Sequence, residues 1–159
     1  MSAGPGSALD AVRSDSVQIA HSAVVLGTAR LGERSLLAQG AVIRSSGTGV
    51  EVGTGSAVIE NSVVIGTSEI PTVIGRRTTF GHRCKVIGAT VGDLCEIGNA
   101  SILMPGARVG DRVFLGEGTL VPGGTTLPSD VVAQSRDRYL TAYQRLVGKP
   151  LFPPKPRNE

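Results

Sequence analysis

Residues 74–127 read IGRRTTFGHRCKVIGATVGDLCEIGNASILMPGARVGDRVFLGEGTLVPGGTTL, and an apolar residue returns through them every six positions: Ile74, Phe80 and Val86, then Val91, Ile97, Leu103, Val109, Leu115, Val121 and Leu127. Self-similarity at so short a fixed period marks a β-helix, in which each hexad supplies one short strand and each strand stacks on its equivalent one coil later. The same beat runs upstream through Ile19, Val25, Leu31, Leu37 and Ile43, then Val52, Val58 and Val64. Three hexads close one triangular coil of about 18 residues, so residues 17 to 128 hold six coils.

A second periodicity accompanies the first. Four residues after most of the apolar positions stands a small side chain: Ala23, Ala29, Ser35, Ala41, Ser56, Ser62, Thr78, Cys84, Cys95, Ser101, Ala107, Thr119 and Thr125. Inward aliphatic and inward small residues in alternation fill a narrow prism without voids. An aromatic content of 3% suits that interior, and the 22 glycines suit its corners. Cys84 and Cys95 both occupy the small slot and no CxxC is present, which predicts buried thiols serving as apolar filler rather than a disulfide or a nucleophile.

The chain has 159 residues and a net charge of +3, its basic residues scattered except towards the C-terminus, so neither nucleic acid nor an acidic membrane surface is an expected partner. No run approaches the roughly 20 apolar residues of a membrane span. The opening MSAGPGSALDAVRSD lacks the apolar core of a secretory signal, and a cytoplasmic location is expected.

The expected organisation is a flexible arm over residues 1–15, a β-helix domain over 16–128, a C-terminal helix within 129–148 and a proline-rich tail over 149–159. Ser135 is placed to cap RDRYLTAYQRLVG, whose Tyr139, Ala142, Tyr143 and Leu146 recur at helical spacing before Gly148 and Pro150 stop it. Within the repeats the beat breaks three times. Nine residues separate Ile43 from Val52, ten separate Val64 from Ile74, and five separate Val86 from Val91. The two long gaps, SSGTGV and TSEIPT, read as loops emerging at a corner, where repeat arrays often bind ligands.

Stacking about 4.8 Å apart turns equal offsets into vertical columns. One column holds His21, Gln39, Glu60, His82, Asn99 and Glu117 and is polar throughout. Another holds Leu26, Arg44, Ile65, Ile87, Met104 and Pro122 and is apolar but for Arg44. Polar residues on a β-helix corner are commonly no more than solvated surface. Glu60 and His82, however, stand on adjacent rungs, within reach of a hydrogen bond that would fix the imidazole tautomer.

The segments IRSSGTGVEVGTGSAVIENSVVIG and TVIGRRTTFGHRCKVIGATVGDLCEIGNASILMPGARVGDRVFLGEGTLVPGG together resemble the γ-class carbonic anhydrases and their relatives. The likeness covers most of residues 17–128 and includes both loops, the five-residue step, and the IRSS and FGHRC blocks in order. It implies an all-β fold: a left-handed parallel β-helix, an exception to the usual handedness of parallel crossovers. It also implies a homotrimer with a C-terminal α-helix along the prism.

In that family three histidines hold a divalent metal at the subunit interface, two from one subunit and one from its neighbour. Carried over by position, they fall on Ile65, His82 and Ile87. Hydrocarbon side chains have no lone pair and a catalytic zinc needs about three protein ligands, so zinc chemistry and any other cofactor are expected to be absent. His21 is no substitute, standing three rungs from His82, roughly 14 Å along the column. The family's interface arginine matches Arg44, whose acidic partner falls on Ser46; a glutamine near the metal falls on Ile59, while the neighbouring acidic position is kept as Glu60.

These positions lead to one principal functional expectation. The interface pocket, lined by Ile59, Ile65, Ile87, Asn99 and Met104, takes a small, partly apolar molecule; Glu60 and His82 do acid and base work, and Arg44 holds a carboxylate or oxyanion. Desolvation by the isoleucines would strengthen such contacts. The alternatives are a catalytically inactive trimeric scaffold or assembly subunit, in which isoleucine packs the vacated site, and a hexapeptide acyltransferase, whose usual catalytic histidine and long inserted loop have no match here.

Overall fold

A computed structural model describes residues 12–13, 16–47 and 49–131. These form a left-handed parallel β-helix of three sheets. The first sheet stacks Val12–Arg13, Ala29–Leu31, Val50–Val52, Thr72–Ile74, Thr90–Val91, Arg108–Val109 and Thr126–Leu127. The second stacks Gln18–Ile19, Leu36–Leu37, Ala57–Val58, Thr79–Phe80, Glu96–Ile97 and Phe114–Leu115; the third stacks Val24–Leu26, Val42–Ser46, Val63–Thr67, Lys85–Ile87, Ile102–Leu103 and Leu120–Val121. The chain visits first, second and third sheets in turn, and every pairing is parallel to the next coil. The expected helix within 129–148 and the tail lie almost wholly outside the described residues; of the expected arm over 1–15, Val12–Arg13 is instead a strand that pairs with Arg30–Leu31, so the first sheet begins earlier than the hexad beat.

The hexad beat is the core. Leu37, Ile43, Val58, Val64, Phe80 and Leu103 are fully buried and point inward, each stacked on its equivalent in the next coil. Burying side chains of this size contributes about 1.5–3 kcal/mol each before entropic costs. Both irregular loops leave at the corner between the third and first sheets, following the longer strands Val42–Ser46 and Val63–Thr67.

The small slot proves to be more than filler. Ser62 Oγ donates to the Gly81 carbonyl at 2.8 Å and accepts the Cys84 N–H at 3.0 Å, and Ser56 does the same with Gly75 and Thr78. Thr78 continues the chain to Gly92 and Cys95, while the Cys84 and Cys95 thiols sit 3.2 and 3.0 Å from the Gly98 and Gly110 carbonyls. These buried polar atoms are thereby satisfied coil to coil, while Ser35 Oγ, buried in the same slot, has no hydrogen-bond partner among the described residues. Burial pushes both thiols above the usual cysteine range, which keeps them protonated.

Glycine does not own the corners. Arg34, Asn61, Arg77, Arg83, Leu94, Ala100, Arg112 and Asp130 also take left-handed backbone there, with φ between 52° and 64°. Glycine is instead demanded where coils touch: a Cβ on Gly98 would lie 2.5 Å from the Glu117 nitrogen.

Candidate functional site

The third face is bounded by two edges, and the expected site residues divide between them. At the turn from the second to the third sheet stand His21, Gln39, Glu60, His82, Asn99 and Glu117, one per coil, with Ile59 just before Glu60. The turns are tied rung to rung: the Arg83 N–H donates to the Glu60 carbonyl at 3.0 Å and the Ala100 N–H to the His82 carbonyl at 2.8 Å. This tie sets the side chains of one column at strand spacing.

His82 Nδ1 lies 3.1 Å from Glu60 Oε2, with the two side chains 56% and 41% exposed. Donation from Nδ1–H to the carboxylate leaves Nε2 as the ring's acceptor, the arrangement a general base requires. Below, the His82 backbone N–H donates to Asn99 Oδ1 at 2.8 Å, and the Asn99 amide donates to Glu117 Oε1 at 3.0 Å. Two rungs above the pair, the Ser22 hydroxyl bonds to Gln39 Oε1.

Beside this column on the second face is a depression of about 310 Å³, lined by Thr79, Glu96, Asn99, Phe114 and Glu117 over the glycine backbone of residues 81 and 98. The expected set omits Phe114 and Glu96. The sequence signalled only that Phe114 and Glu96, each just before an inward hexad position, point outward; the depression itself exists only where neighbouring coils stack.

The other edge, where the third sheet ends, carries Leu26, Arg44, Ile65, Ile87 and Met104. Arg44 is paired with Ile65, and Ile65 with Ile87, in register. Ile65 and Ile87 are half-buried, Leu26 and Met104 are exposed, and Arg44 forms no ion pair among the described residues. Ile70, from the TSEIPT loop, lies over Gly88 and extends the apolar surface; sequence reasoning missed it because its position depends on the loop's return path.

Within one chain, then, His82 and the Ile65–Ile87 pair sit on opposite edges of one face. Ile65 and Ile87 offer no donor atom, and among the described residues no three His, Cys, Asp or Glu side chains of the chain cluster as metal ligands.

Comparison with known proteins agrees with the architecture. Gamma carbonic anhydrase 2, mitochondrial, of Arabidopsis thaliana is 32% identical over 122 residues, 73% of this chain and 44% of the relative. Gamma carbonic anhydrase 1, mitochondrial, of the same plant is 34% identical over 120 residues, 72% and 44%. The chain spans less than half the length of these curated relatives. Among solved structures, a hexapeptide transferase family protein from Anaplasma phagocytophilum superposes with a TM-score of 0.68 at 25% identity, covering 84% of this chain and 86% of that one. No family model matches. The chain belongs to the γ-carbonic anhydrase-like hexapeptide-repeat proteins. Among the described residues, no helix is long and apolar enough to cross a membrane.

Proposed function

We propose that the protein is a metal-free, cytoplasmic homotrimer whose subunit clefts bind a small, partly apolar molecule and act on it through the Glu60–His82 pair. The observation carrying this reading is the contrast between the two edges of the third face. One keeps an imidazole hydrogen-bonded to a carboxylate, and the other presents Ile65 and Ile87 side by side.

The outward row of that face is Val24, Val42, Val63, Lys85, Ile102 and Leu120, with Val24 42% and Leu120 57% exposed in the single chain. Such a surface calls for a partner. A ring that turns it towards a threefold axis sets the polar edge of one protomer against the apolar edge of the next, a heterologous contact that closes. His82 Nε2 then faces a desolvated wall of isoleucine and Met104, with Arg44 one rung from Ile65 to hold an anionic group. Proton transfer needs no metal in this arrangement.

The scaffold reading draws support from the same exposed row, because Leu26, Ile65, Ile87 and Met104 can also pack shut against a neighbour. An acyl-transfer reading has only the shared fold behind it. Metal analysis and light scattering on protein purified without chelators separate these possibilities. The expected result is a trimer with far less than one zinc per subunit, and stoichiometric zinc would overturn the metal-free reading. A crystal structure of the trimer is expected to show an open cleft at His82; a cleft filled by side chains would replace enzyme with scaffold.

A further inference from the structure

We propose that the edge between the first and second sheets, away from the third face, holds a binding pocket for a small soluble molecule carrying a phosphoryl or pyrophosphoryl group. A cavity of about 360 Å³ opens there, lined by Arg34, Thr54, Arg76, Arg77, Asp93 and Leu94. Three guanidinium groups face one carboxylate, and the volume falls in the range of small-molecule sites.

The column through these turns reads Arg34, Gly55, Arg77, Leu94, Arg112 and Asp130, one residue per coil, all in left-handed backbone. Its last two members show how the fold neutralises an arginine at this position. Arg112 Nε and Nη2 bond to Asp130, one coil on, at 2.6 and 2.9 Å. Arg34 and Arg77 have Gly55 and Leu94 on the corresponding rung, and neither forms an ion pair among the described residues. Two cations without a supplied carboxylate thus flank a rung that has no side chain.

They also converge. Arg34 and Arg77 are two rungs apart, roughly 9.6 Å at strand spacing, and Arg77 folds back over the gap: its Cγ lies 3.5 Å from where a Cβ on Gly55 would stand. Arg76 is locked beside them, its Nε and Nη2 on Asp93 Oδ2 at 3.1 and 3.0 Å while its backbone N–H donates to Asp93 Oδ1 at 2.8 Å. That ion pair consumes two of the guanidinium's five N–H donors.

Planar guanidinium forks match tetrahedral oxyanions in pairs, and the Thr54 hydroxyl adds a neutral donor. Leu94, 49% exposed and held at φ 60°, supplies an apolar wall in a conformation uncommon for its type. A wall of that kind suits the organic part of a phosphorylated ligand better than a bare ion.

The test is calorimetric titration of the full chain with inorganic pyrophosphate at low and at physiological ionic strength. Saturable binding at one site per chain is expected. Arg77→Gln and Arg34→Gln should each weaken it at least tenfold, whereas Arg112→Gln, which breaks the ion pair lower in the column, should change it less than twofold. Absence of saturable binding overturns the proposal, as does an equal loss in all three variants, which would mean diffuse attraction. Cosedimentation with phosphatidylglycerol vesicles that depends on Arg34 and Arg77, without pyrophosphate binding, would assign the patch to a lipid surface and equally overturn it. Circular dichroism melting confirms that each variant is folded.

Discussion

The two edges of the third face have opposite chemistry. On the first, Glu60, His82, Asn99 and Glu117 are linked side chain to side chain or side chain to backbone. On the second, Ile65 and Ile87 stack in register with no polar side chain in the column between Arg44 and Met104. The prism is indifferent to either choice because its stability resides in the inward positions, so the outward offset is free to carry function. What a β-helix does is written at positions its folding does not need.

The largest expected effect comes from making the second edge polar. In the Ile65→His/Ile87→His double variant, zinc measured by mass spectrometry after dialysis should rise from far below one to about one ion per subunit. Two added imidazoles and His82 then make the three ligands that a catalytic zinc requires. No binding of zinc, cobalt or nickel would show that the backbone at this edge does not bring the three together between subunits.

A smaller effect separates edge from interior. Ser62→Ala leaves the Cys84 N–H and the Gly81 carbonyl without their buried partner and should cost about 1–3 kcal/mol in denaturant unfolding. His82→Ala removes an exposed pair and should cost no more than about 1 kcal/mol. Equal costs for the two would mean that the polar edge is structural and that its freedom to carry chemistry is illusory.

The smallest effect is on the remaining edge and depends on pH. The Arg76 backbone N–H and guanidinium hold the Asp93 carboxyl below the usual carboxylate range, and the Arg112 guanidinium does the same for Asp130. Both groups bind protons less readily folded than unfolded, so their contribution is present above the ordinary aspartate pKa of about 4 and is lost as pH falls through the lower folded values. Melting temperature should decline gently below about pH 4. Asp93→Asn combined with Asp130→Asn should flatten that decline, and an unchanged profile would place the acid sensitivity elsewhere.

Much of this was legible before any coordinates. Ile74, Phe80 and Val86 announce the repeat, the unequal gaps announce the loops, and equal offsets place Glu60 beside His82, where they meet at 3.1 Å. Less legible was the task of the small slot. Ser62 and Thr78 read as filler because their partners stand 14 to 22 residues away and become neighbours only when coils stack. Ile70 and Phe114 were missed for related reasons. One depends on the course of an irregular loop, and the other stands on a face whose depression arises from neighbouring coils.

A period of six is a one-dimensional property, and with the alternation of side chains along a strand it determined the prism, the number of coils and the membership of every column. Direction is a three-dimensional one. That Arg77 lies back over Gly55 while Arg112 reaches Asp130, and that the two edges of the third face diverge within one chain, follows from where stacked backbones leave room for a side chain to turn, which no spacing along the chain encodes.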